Sequence, residues 1–143
     1  CHTPITTGFI DSQVPAGTGI AFLGREKKFT ECGLYAMNLR DPITQEWLKE
    51  FQLAYDSGRL MTMAEWNDCW VFDETRKEVQ AKHPAWRQLN WSEGLFKGEG
   101  HPLINTAWGA YLDHLKGKRK DTGRSAAKDL LRPRTESYWA SAS

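Results

Sequence analysis

Apolar residues occur first in two short runs punctuated by glycine, Gly19-Ile-Ala-Phe-Leu-Gly24 and Gly33-Leu-Tyr-Ala-Met-Asn-Leu39. Each is too short for a helix and suits a buried strand. The period then changes. Asp41-Pro42 supplies an N-cap followed by proline at the first helical position, and Ile43, Trp47, Leu48, Phe51, Ala54 and Tyr55 recur at helical spacing until Gly58. Thr62-Met-Ala-Glu65 has the form of a capping box, which predicts a second helix from Met63 toward Gln80 carrying Trp66, Asp68, Trp70 and Phe72. From Trp86 to Gly100 three glycines and weak periodicity predict loop with one short strand. Asn105 or Thr106 can cap a third helix in which Trp108, Tyr111, Leu112 and Leu115 share a face until Gly117. A last short helix over 125–131 is expected before Pro133, with the Ser- and Ala-rich residues 135–143 frayed.

Strands alternating with helices predict an α/β layer architecture. A chain of 143 residues that is 40% apolar can build one core, and residues 1–134 are read as a single domain. Two visible strands make a thin sheet with an exposed edge, and the chain begins at Cys1 without a methionine in a stretch, Thr3-Pro-Ile-Thr-Thr7, that reads like the middle of a loop. Both features suggest that an N-terminal portion precedes this segment. Nothing resembles a signal peptide or a run long enough to span a membrane. Cys1, Cys32 and Cys69 have neither zinc spacing nor an even count, so reduced thiols in a cytoplasmic protein are expected.

Charge is unevenly placed. The net charge is +1, yet 116–134 holds eight basic residues against Asp121 and Asp129, a local +6 that leaves −5 elsewhere. An anionic ligand near the C-terminal third would meet that field. Within it, His114 is followed by Gly117 and Lys120. A neutral imidazole can bind a divalent cation, a glycine lets backbone N–H groups approach a phosphate, and a lysine can neutralise it. The same residues also suit a solvated basic loop after a helix. His101, before Pro102, is a second candidate metal ligand. Trp66, Trp70 and Trp108 could stack on a sugar ring, although tryptophan at helical spacing is commonly core.

The spacing His114-x-x-Gly117-x-x-Lys120 resembles the C-terminal motif of GT-A fold nucleotide-sugar glycosyltransferases of the glycogenin-like and lipopolysaccharide-galactosyltransferase-like group, with Asp121-Thr122 where that group has Pro-Trp. Two further stretches are similar to the same group in the same order. Thr30-Glu31-Cys32-Gly33-Leu-Tyr-Ala-Met-Asn38-Leu39 looks like its donor-facing strand, and Glu65-Trp66-Asn67-Asp68 through Asp73 sits where it has an Asp-Gln-Asp element for sugar hydroxyls. The resemblance implies a partial GT-A-like fold in which His114 binds a divalent metal, manganese or magnesium, and Gly117 and Lys120 contact the diphosphate. It further implies that Glu31, Gly33, Asn67 and Asp68 face the sugars, with Glu31 and Asp68 in one cleft as the chemically active carboxylates. No Asp-x-Asp occurs in the chain.

Transfer of a sugar from a nucleotide-diphosphate donor to an unidentified acceptor is therefore the expected function, with a missing N-terminal half or a partner chain supplying further contacts. Two other classes are consistent with the sequence. One is a phosphate- or nucleic-acid-binding module working through 116–134, which lacks interleaved aromatic residues. The other is a structural protein that retains a transferase-like core.

Overall fold

The structure is a computed structural model that describes residues 1–26, 28–95, 101–115, 117 and 119–140. A short helix α1 (Thr7–Gln13), capped by Thr6, precedes the strands β1 (Ile20–Arg25) and β2 (Lys28–Met37). Helices α2 (Pro42–Asp56) and α3 (Asp68–Lys82) follow, then a three-residue strand β3 (Gln88–Asn90). Beyond it lie two 3₁₀ turns, Leu103–Asn105 and Ala107–Ala110, and the one-turn helices α4 (Arg119–Thr122) and α5 (Ser137–Ala140). The fold is mixed α/β, with a three-stranded sheet in the order β2-β1-β3. β1 and β2 form an antiparallel hairpin whose register shifts after Phe22, and β3 runs parallel to β1. Among the described residues, no helix is long and apolar enough to cross a membrane.

Alternation along β1 divides the interior into two cores. Ile20 and Phe22 pack with Trp47, Phe72, Val79 and Trp86 on the side covered by α2 and α3. Leu23 packs with Leu103, Ile104, Trp108 and Trp139 on the other. Both tryptophan indoles of the first core have hydrogen-bond partners. Trp47 Nε1 donates to Thr75 Oγ1 at 3.2 Å, and Trp86 Nε1 donates to Asp41 Oδ2 at 3.0 Å. Asp41 thereby caps α2 and anchors Trp86 with the same carboxylate.

Helix α2 lies where its cap and period predict. Helix α3 begins five residues later than expected, because Asn67 rather than Thr62 is its cap. Asn67 Oδ1 accepts from Trp70 N at 2.9 Å, whereas Thr62 Oγ1 turns back onto Arg59 O at 2.8 Å and closes a 3₁₀ turn. The third predicted helix is replaced by the two 3₁₀ turns. Its carbonyls are claimed elsewhere: Arg134 donates to Ile104 O and Thr106 O, and Trp139 Nε1 donates to Gly109 O at 2.8 Å. A continuous α-helix would need those acceptors for its own ladder. The expected helix over 125–131 is a single 3₁₀ turn, Ala127–Asp129.

The expected frayed tail is corrected over residues 135–140. Trp139 is buried, and Tyr138 stacks on His2 with ring centroids 3.8 Å apart. Residues 141–143 lie outside the described residues. The strand expected between Trp86 and Gly100 is β3, and its partner β1 carries the hairpin that the alternating pattern did not predict.

Candidate metal centre and substrate cleft

Glu31 sits on β2 and is buried. Its carboxylate takes the guanidinium of Arg25 from the neighbouring strand, and Glu31 Oε2 lies 3.6 Å from His101 Nε2. The His101 ring is stacked on that of His114, with centroids 4.0 Å apart and planes 14° apart. One donor atom from each of Glu31, His101 and His114 lies within 4.8 Å of the others, so a carboxylate and two imidazoles converge from three remote parts of the chain.

Gly33 lies beside that convergence. A Cβ there would lie 3.3 Å from His114 Cε1, slightly tighter than ordinary packing, and 3.4 Å from Glu31 Oε1, at ordinary contact. The missing side chain lets the His114 ring settle against β2. His114 is positioned by Asp113 from the preceding residue. Asp113 Oδ1 accepts from His114 N at 2.7 Å and from Ser125 Oγ at 2.6 Å, while Oδ2 accepts from Ser125 N and from Tyr138 OH. Burial raises the Asp113 pKa, but these donors outweigh it and hold the carboxyl below its ordinary value of 3.8.

The donor set fits a divalent cation on one condition. His101 Nδ1 accepts from Leu103 N at 3.3 Å, which places its proton on Nε2, facing Glu31. For Nε2 to bind a metal, the ring must give up that bond and change tautomer. Two imidazoles favour manganese over magnesium, which prefers an all-oxygen shell.

The remaining predicted residues are distributed differently from the expectation. His114 follows a 3₁₀ turn instead of an α-helix, and its ring is turned onto Gly33 and His101. Gly117 has a φ of +60°, and Lys120 N donates to Gly117 O at 3.0 Å. Gly117 lines an open groove of about 490 Å³ with Arg119, Arg124 and Lys128. Lys120 is exposed on α4 and does not line it. Lys116 and Lys118 lie outside the described residues.

Glu31 and Asp68 do not share a site. Glu31 and Cys32 are consecutive on an extended strand and point to opposite faces. Asp68 accepts from the Cys32 thiol at 3.2 Å, on the α3 side, whereas Glu31 meets the two histidines. Asn67 is engaged as the α3 cap.

Other residues of that third stretch do border a cavity. Glu65, Trp70 and Asp73 line a cleft of about 810 Å³ together with Phe29, Arg25 and Asn90. Arg25 thus connects this cleft to the metal candidate through Glu31. Asp73 is buried and receives Thr30 Oγ1 at 2.7 Å, Arg76 and Lys77. Burial would raise its pKa, but hydrogen bonds from Lys77, Arg76 and Thr30 hold it below the ordinary carboxylate value. Sequence reasoning missed Arg25, named Asp73 only as the end of the third stretch, and ranked His101 second, because neither Arg25 nor His101 carries a local motif. Only the tertiary fold brings them to the site.

Several basic residues of the C-terminal third serve the fold. Arg119 pairs with Asp129 at 3.0 Å, and Arg134 pairs with Glu136 while donating to two carbonyls. This spends part of the positive charge internally and weakens the case for a nucleic-acid groove. No protein family, curated protein or solved structure matches this chain.

Proposed function

We propose that the chain is part of a GT-A-type glycosyltransferase that uses a divalent cation and a nucleotide-diphosphate sugar. The observation that carries the reading is the contact between Gly33 and His114. It joins two of the three stretches that resemble the transferase group, although about eighty residues separate them. Glu31, His101 and His114 would hold the cation, whose charge would oppose that of the leaving diphosphate. Gly117 and Lys120, a few residues beyond His114, would contact the phosphates. The Arg25-lined cleft would take a sugar, with Trp70 offering a face and Asp73 and Asn90 offering polar groups. Asn67 and Asp68 are better assigned to the helix cap and the thiol contact.

Calorimetric titration of the chain with uridine and guanosine diphosphates, with and without manganese, tests the reading. Binding that requires the metal is expected, with loss in His114→Ala and a weakening of about tenfold in Lys120→Ala. Binding of equal strength without manganese and in His114→Ala would refute it.

A further inference from the structure

Two cysteines remote in sequence meet where β2 passes the first turn of α3. Cys32 Sγ lies 3.0 Å from Cys69 Sγ, and both residues are half-buried free thiols. A sulfur–sulfur bond is about 2.05 Å long, so closing the pair needs travel on the order of 1 Å. Asp68 completes the cluster, accepting from the Cys32 thiol and from Cys69 N at 3.0 Å.

A metal is the other use of such a group, since one donor atom from each of Cys32, Asp68 and Cys69 falls within 4.8 Å of the rest. Structural zinc takes four ligands, and two thiolates each about 2.3 Å from one tetrahedral ion stand roughly 3.8 Å apart. The thiols are closer than that. Their spacing favours bond formation between the sulfurs over shared ligation.

We propose that Cys32 and Cys69 form a reversible disulfide, a modification site that staples β2 to the first turn of α3 under a disulfide oxidant such as oxidised glutathione. In the first step the Cys69 thiolate attacks one glutathione sulfur. A mixed disulfide forms, and one glutathione leaves and takes up a proton. Cys32 then loses its proton to water and attacks Cys69 Sγ, and the second glutathione leaves and is protonated in turn. Two protein thiols are oxidised, and one glutathione disulfide is reduced to two thiols. The same exchange runs with the two cysteines in exchanged roles, since both thiols are half-buried and face each other.

The staple spans 37 positions of chain and includes α2. It fixes the residue between Glu31 and Gly33, yet it does not depend on the transferase reading. The test uses the Cys1→Ser chain, which removes the exposed thiol that could link two molecules. The chain is equilibrated with a glutathione redox buffer, free thiols are counted in denaturant, and tryptic peptides are analysed without reduction. Expected is loss of both thiols, a linked peptide pair covering 29–40 and 60–76, and a melting temperature about 5–10 °C above that of the reduced form. In Cys69→Ala the redox buffer should leave the melting temperature unchanged. Two free thiols at full glutathione oxidation would overturn the proposal. So would oxidation that yields only dimers, or a bound zinc ion that protects both thiols.

Discussion

Asp113 shows how much can depend on one acceptor. Its four hydrogen bonds come from four donors, so the position needs a group that accepts at both oxygens. Asp113→Asn would turn an NH₂ toward donors and is expected to cost about 2–3 kcal/mol, read by urea denaturation at neutral pH. The pH dependence has a defined sign. Because the folded pKa is depressed, the aspartate contributes its full stability above the ordinary carboxylate value and loses it as pH falls through the folded value. The gap between wild type and Asp113→Asn should therefore be widest near neutrality and narrow in acid. A gap that widened below pH 4 would contradict the arrangement. In the sequence, Asp113 reads only as the neighbour of His114, because Ser125 and Tyr138 reach it through the fold.

At the scale of elements, the caps separate what local pattern can and cannot decide. Asp41-Pro42 is read correctly, since its carboxylate serves the turn that immediately follows. Thr62 and Asn67 are both good caps by residue type, and the choice between them rests on where α3 must begin to place Phe72 and Val79 in the first core. The structure predicts that Asn67→Ala lowers stability by about 1 kcal/mol while Thr62→Ala changes it little, which thermal denaturation of the two variants can check. The 3₁₀ turns after Pro102 teach the same lesson in reverse. Apolar spacing there suits a helix, but Arg134 and Trp139 compete for the carbonyls from thirty residues away. Of the candidate site, Glu31, Gly33 and His114 are legible as separate motifs. Their convergence with His101, and the separation of Asp68 from Glu31, are set by the pairing of strands and by the path of the C-terminal segment.

At the scale of the whole molecule, the last described residues close the second core. Trp139 packs beside Leu23, Ile104 and Trp108, so Trp139→Ala should cost about 3–5 kcal/mol and lower the melting temperature by roughly 10–15 °C. If residues 135–140 were frayed, as the composition suggests, that variant would melt like wild type. The two cores also differ in how much chain each must wait for. The first is complete once Trp86 has been made, whereas the second needs Leu23 to find partners that begin at Leu103 and end at Trp139. Because closing long loops costs entropy before contacts compensate, a chain leaving the ribosome can fold its helical side while its other side remains open. Glu31 would then wait, half-assembled and wet, for His101 and His114 to arrive. The candidate centre is assembled late, and a nascent chain could not load a metal there until His114 had been made.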